Sequence, residues 1–150
     1  MASDDPAGDR RLFLQAQIVY WLLGATDGHA KNFSIHLLPA GRFRLTPLYD
    51  VMSAQPYVNR HQIRRNKMKL AMAVDGKYRV GDIRLRHFER VAREGGLAEA
   101  TFAEMVTETA ARVPSALEET FDALPSDFPP AMADAIADGI RKRLVLLAGG

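Results

Sequence analysis

Gly24-Ala25-Thr26-Asp27-Gly28-His29-Ala30-Lys31-Asn32-Phe33-Ser34-Ile35-His36-Leu37-Leu38, followed after Pro39-Ala40-Gly41 by Arg42-Phe43-Arg44-Leu45-Thr46-Pro47-Leu48-Tyr49-Asp50-Val51-Met52-Ser53, is the stretch on which the fold turns. Two short apolar runs flank a Pro-Ala-Gly turn, the pattern of a β-hairpin over residues 33–46. A hairpin folds its ends together. Asp27 and Asn32 at one end and Asp50 at the other are therefore expected to be neighbours, although 23 residues separate the two acids. Oxygen-bearing side chains gathered at the open end of a hairpin suit Mg²⁺ and a phosphate.

Working outward, residues 1–9 are acidic and small and are expected to form a flexible leader. From Arg10 to Leu23 the apolar residues Leu12, Phe13, Ala16, Val19, Tyr20 and Leu23 recur at helical steps, and Ile18, Trp21 and Leu22 widen the stripe into a helix buried on most sides. Gly24 stops it. Leu48, Val51 and Met52 are expected to anchor Asp50 in the core, and residues 54–66 to be irregular, broken at Pro56 and Asn59. Lys69–Val74 and Lys77–Val80 around Asp75-Gly76 form a second hairpin, since Asp-Gly takes the positive φ values of a tight turn. Arg84–Glu94 is helical, with Gly95-Gly96 as its stop. Thr101-Phe102-Ala103-Glu104 has the form of a capping box, with a start nearer Ala98 as the alternative. That helix is expected to end before Pro114, which opens a short helix to Ala123. After Pro129-Pro130 a long helix runs to about Leu147 with Met132, Ile136, Ile140, Leu144 and Leu147 on one face. The fold class is α+β, mainly helical, with a helical bundle in the C-terminal half.

With 150 residues and 47% hydrophobic content the chain suits one domain with a real core. The absence of cysteine excludes disulfides, thiolate zinc sites and a thiol nucleophile. No apolar run has the length of a membrane span and the N-terminus is not signal-like, so a soluble, intracellular protein without membrane contact is expected. The net charge of +2 hides an uneven distribution: residues 60–94 hold 11 basic and 4 acidic side chains, and residues 95–150 hold 4 basic and 9 acidic. The basic run Arg60–Lys69 suits nucleic-acid phosphates or an acidic partner, or else a solvated loop.

Phosphoryl transfer needs an acid that orients and deprotonates the attacking hydroxyl, and oxygen ligands that place Mg²⁺ on the phosphates. Asp27 and Asn32 have the spacing of the protein-kinase pattern H-R-D-x-x-x-x-N, with Ala25-Thr26 where His-Arg stands in that pattern. Asp50 follows a strand at an interval that suits a second metal-binding acid. Each of the three taken singly is also an ordinary turn residue. Asp27-Gly28-His29 has the Asp-x-His form of metal phosphoesterases, but His36, His61 and His87 form no evident ligand cluster with His29, which disfavours a dinuclear hydrolase.

In combination, Gly24–Ile35, Arg44–Ser53, Lys69–Met72 and Arg86-His87-Phe88 resemble the C-terminal lobe of the HipA-like serine/threonine protein kinases, the toxins of HipA/HipB toxin-antitoxin systems. The resemblance covers most of residues 10–147, so that residues 10–150 are expected to be the catalytic lobe of a protein-kinase-like fold. It implies Asp27 as catalytic acid/base, Asn32 and Asp50 as Mg²⁺ ligands, and His29, Ala30, Lys31, Asn32, Tyr49 and Asp50 around ATP. It further implies a bacterial cytosolic kinase that phosphorylates a protein serine or threonine, in the best-known case on an aminoacyl-tRNA synthetase, and that joins a HipB-like helix-turn-helix antitoxin at operator DNA. The basic middle, including Arg86, is the expected place for a DNA or partner contact. Nothing before Asp27 supplies the Gly-rich loop, strand lysine and helix glutamate of an N-terminal lobe, so that ATP-gripping lobe is expected to be absent and the chain inactive alone. The other expectation is a non-enzymatic module that binds an antitoxin, a kinase half or DNA, or that self-associates through uncovered apolar surface.

Overall fold

The computed structural model describes residues 1–60 and 62–149. A buried helix, α1 (Pro6–Leu23), leads into the first hairpin, β2 (Ile35–Leu38) and β3 (Arg42–Leu45). The hairpin pairs antiparallel with Ile35 opposite Leu45 and Leu38 opposite Arg42. Then come a short helix α2 (Gln55–Asn59), the hairpin β4 (Lys69–Val74) and β5 (Lys77–Arg79), and three helices, α3 (Leu85–Glu94), α4 (Glu99–Asp122) and α5 (Pro130–Ala148). The mainly helical α+β class is as expected from the sequence, as are both hairpins, the stop of α1 at Gly24 (φ 63°) and the extent of α3 and α5.

The N-terminus differs from the expected leader. Ala2–Ser3 forms a strand, β1, parallel to β3, and α1 begins at Pro6 rather than Arg10. The acids of this segment are partners of β3: Asp4 pairs with Arg42, Asp5 with Arg44 at 2.9 Å, and Asp9 accepts from the Leu45 amide at 3.0 Å. Asp5 also caps α1 by accepting from the Gly8 amide, and this bond, then Arg44, holds its carboxyl below the usual range. Residues 54–66 contain α2, with Pro56 inside its first turn where the missing amide costs nothing. The start near Ala98 is the observed one for α4; Thr101 does not cap it, and the helix runs unbroken through the exposed Pro114 to Asp122. Met52 is 66% exposed and does not anchor Asp50, whereas Leu48 and Val51 are partly buried and do.

The main core gathers α1, β4, α3, α4 and α5 around Trp21, which has no exposed surface and donates from Nε1 to the Val80 carbonyl at 3.0 Å. A second, smaller cluster of Ala16, Tyr20 and Ala25, packed by Leu23, Phe33, Leu48, Val51 and Met72, lies under the first hairpin. The first hairpin is thus an excursion from a rigid helix, footed on its own apolar cluster.

His87 marks the start of α3. It is 6% exposed, and its Nδ1 accepts from the Arg84 amide at 2.9 Å, a bond that needs the unprotonated nitrogen. Burial first, and then the charge of Arg86, lower its pKa from the ordinary 6.5. The unfolded chain therefore takes up this proton at a higher pH than the fold does. The stability contributed by neutral His87 is complete above pH 6.5 and declines as pH falls from 6.5 toward the folded value, by at most about 1.4 kcal/mol per pH unit. Urea midpoints at pH 7.5 and pH 5.5 are expected to diverge more in the parent than in His87→Gln, whose side chain does not titrate; equal divergence would remove His87 as a cause.

Candidate functional site

Gly24 turns the chain out of α1, and the Ala25 amide bonds back to the Tyr20 carbonyl at 2.8 Å. The next turn is built around one donor: the His29 amide gives to the Asp27 carbonyl at 2.9 Å and to Asn32 Oδ1 at 3.0 Å. Gly28 is required by close approach. A Cβ there would sit 2.7–2.9 Å from the Tyr20 ring, and Tyr20, only 2% exposed, has no room to retreat. Burial, with Tyr49 and Asp50 nearby, raises the pKa of Tyr20, so the phenol stays neutral against the underside of the loop. Phe33 locks the far side of the turn, its ring 5.0 Å from Phe13 and 6.1 Å from Tyr20.

The hairpin brings Asp50 back as the sequence suggests. Asn32 is buried, and its Nδ2 donates to Asp50 Oδ2 at 3.2 Å. Asp50 holds a left-handed backbone, φ 54°, a conformation that Asp tolerates better than most residues and that costs energy unless its surroundings enforce it. Tyr49 beside it is 43% exposed; its hydroxyl shares a 2.8 Å hydrogen bond with Ser34 Oγ and donates to the Lys31 carbonyl at 3.4 Å, tying the two arms together. Ala30 and Lys31 are exposed in a tight helical turn over Ala30–Asn32.

Asn32 and Asp50 are thus brought into contact. Asp27 belongs to the same loop but points outward: its side chain is 73% exposed, with Oδ1 3.9 Å from His29 Nε2. No group of three or more His, Asp or Glu side chains able to hold a metal gathers among the described residues. His61, in the basic run, lies outside the described residues. Ser53, a residue with no role evident from sequence, closes the excursion. Its hydroxyl donates to the Leu23 carbonyl at 2.5 Å and accepts from the Gln55 amide at 3.2 Å. A serine two residues ahead of Gln55-Pro56 is a turn-forming signal that could have marked it.

In donor chemistry, then, the open end of the hairpin offers a carboxylate and an amide oxygen at Asp50 and Asn32, with a second carboxylate at Asp27 on an exposed turn. The model of the HipA-like C-terminal domain family matches residues 1–117. The chain is 29% identical over 121 residues to the serine/threonine-protein kinase toxin HipA of Shewanella oneidensis, an alignment that covers 81% of this chain and 26% of that protein. It is 30% identical over 121 residues to the putative kinase Y4mE of Sinorhizobium fredii, covering 78% of this chain and 27% of that one. Among solved structures, the Shewanella oneidensis MR-1 toxin-antitoxin complex of HipA, HipB and operator DNA superposes with a TM-score of 0.70 at 26% identity over 93% of this chain and 31% of that chain. The chain spans between a quarter and a third of the length of these relatives. Since the family match takes in the whole excursion from Gly24 to Ser53 and most of the remaining fold, the chain belongs to the HipA-like C-terminal domain family.

Proposed function

We propose that the open end of the first hairpin is the catalytic half of a protein serine/threonine kinase site, using ATP and Mg²⁺. The observation that carries it is the Asn32–Asp50 contact, which joins two hard oxygen-bearing side chains from opposite ends of the hairpin. The donor set fits Mg²⁺, which characteristically takes one or two protein oxygens and fills its remaining positions with water and phosphate. Asp50, through its carboxylate, and Asn32, through the amide oxygen that also accepts from the His29 amide, are the residues that would hold it. When bound, Mg²⁺ neutralises charge on the phosphates of ATP.

The protein's own residues do the rest. The His29 amide and Asp50 fix the Asn32 side chain from both ends. Asp27, exposed on the rim, accepts the proton of the attacking hydroxyl. His29, Ala30 and Lys31 edge the nucleotide, with Tyr49 holding the Lys31 backbone in place. The acceptor is a protein serine or threonine, with an aminoacyl-tRNA synthetase as the substrate suggested by resemblance. The setting is cytosolic, and the described helices include none long and apolar enough to cross a membrane. The site needs a further lobe to hold the other side of ATP, so the chain is inactive without one. Ile35, Leu37, Tyr49 and Met52, all exposed along the excursion, are the surface that such a lobe would cover. A HipB-like antitoxin, and operator DNA through it, would meet the exposed basic side chains Lys69, Lys77, Arg79, Arg84 and Arg86.

The exposed apolar residues on the excursion also favour a second reading, a module that docks or self-associates without doing chemistry. Metal binding separates the two. Mn²⁺, added as a paramagnetic stand-in for Mg²⁺, is expected to broaden the amide signals of residues 27–32 and 49–51 of the chain, and Asp50→Ala to weaken this by roughly tenfold or more, as even outer-shell partners of metal ligands cost about 10–100-fold. Broadening that is spread evenly over the acidic surface, or unchanged in Asp50→Ala, would leave the docking module as the better reading.

A further inference from the structure

We infer that Arg143, on α5, is a positioning residue that staples shut the base of the excursion carrying Asp27, Asn32 and Asp50. This role rests on the kinase reading of that site. Arg143 lies 121 residues from the backbone it binds and beyond the residues matched by the family model. It is 6% exposed. Its Nε donates to the Leu22 carbonyl at 2.8 Å, on the last turn of α1 just before the Asp27 loop, and its NH1 donates to Gln55 Oε1 at 3.1 Å, at the start of α2 just after the Asp50 segment. One guanidinium thus bridges the strand of chain that leaves for the site and the one that returns from it.

Three features make this a built arrangement rather than a chance contact. Gln55 is oriented from its other end, where Nε2 donates to Asn59 Oδ1 at 3.0 Å, so that its oxygen faces Arg143. Gly139, one helical turn before Arg143, leaves the space that the pair occupies: a Cβ there would lie 2.6 Å from both Arg143 NH2 and Gln55 Oε1. The same two arms are joined directly beside the bridge, by Ser53 Oγ on the Leu23 carbonyl and by the Ala54 amide on the Gly24 carbonyl at 3.0 Å. A planar guanidinium with several fixed donors can span two arms in this way, whereas an ammonium acts as a point charge. A displacement at residues 22–24 or 53–55 moves Asp27 against Asp50, and small misplacements of reacting groups carry large rate costs. Helix α5 therefore belongs to the site, not only to its scaffold.

The test uses the whole chain with Arg143→Gln, Arg143→Lys and Gly139→Ala, read by amide hydrogen exchange and by Mn²⁺ broadening. In Arg143→Gln and Gly139→Ala the amides of Ala25, His29 and Ala54 are expected to exchange about tenfold faster or more, while those in the middle of α3 and α4 change little. Mn²⁺ broadening at residues 27–32 and 49–51 is expected to weaken by about tenfold in both. Arg143→Lys should recover part of the protection, since it keeps the charge but not the fork. Exchange that speeds up evenly over the chain, loss of folded structure in both variants, or unchanged protection at Ala25 and Ala54 would overturn the proposal. If the parent itself takes up no Mn²⁺ at Asp50, the kinase reading of the site falls, and the exchange pattern still decides whether Arg143 staples the arms.

Discussion

Trp21→Ala is expected to cost about 3–5 kcal/mol, the range for truncating a large buried aromatic side chain, and so to consume much of the roughly 5–15 kcal/mol that holds a domain folded. Trp21 is wholly enclosed, and its ring meets Phe88 edge-on at 5.5 Å and 64°. Its indole also satisfies the Val80 carbonyl, which joins α1 to the turn after β5. Truncation leaves a cavity and a carbonyl without its donor, two losses that compound. Trp21→Phe restores most of the ring but not the donor, and is expected to cost less than half as much. Because Trp21 is the single tryptophan, urea unfolding of all three proteins has to be followed by far-ultraviolet circular dichroism. A Trp21→Ala midpoint equal to that of Trp21→Phe would mean that the core around α1 collapses to fill the space.

What the sequence makes legible is what short-range patterns encode. The apolar stripe of Arg10–Leu23, the Asp75-Gly76 turn and the paired runs around Pro39-Ala40-Gly41 each announce their structure within a few residues, and the last of these is the hairpin that brings Asn32 to Asp50. The N-terminal strand was not legible, because two residues carry no period and Asp4, Asp5 and Asp9 acquire their meaning only from Arg42, Arg44 and the Leu45 amide far along the chain. Pro114 illustrates the opposite error. Proline is a strong local signal against a helix, yet α4 runs through the exposed Pro114 to Asp122, with the partly buried Val113 beside it packed on the main core. The Arg143 bridge is less legible still. A glycine at position 139 inside an apolar helix, four residues before an arginine, is a hint that something large must approach, but nothing in the sequence says that the approaching group is Gln55.

Asp27→Asn is expected to lower phosphotransfer by about 10²–10⁴-fold, the usual contribution of a positioned general acid or base, with little change in stability. The geometry makes these two effects separable. The Asp27 side chain is 73% exposed, with Oδ1 3.9 Å from His29 Nε2, so the amide replaces a solvated carboxylate and should shift stability by no more than about 0.5 kcal/mol. The turn itself is kept, because the His29 amide bonds to the Asp27 backbone carbonyl and not to its carboxylate. Asn keeps the size and shape of Asp but cannot take a proton from an attacking hydroxyl. Transfer of the γ-phosphate from Mg·ATP to a protein acceptor is measured with the chain joined to the N-terminal portion of the Shewanella relative, since this chain corresponds to about a quarter of that protein. Asp27→Asn should lose turnover while Mn²⁺ at Asp50 is retained; Asp50→Ala should lose both. That asymmetry is what distinguishes a base on an exposed rim from a metal ligand held against a buried Asn32. If Asp27→Asn keeps its rate within a few-fold of the parent while Asp50→Ala abolishes it, the proton leaves by another route, and the acid in the loop between α1 and β2 is a turn residue after all.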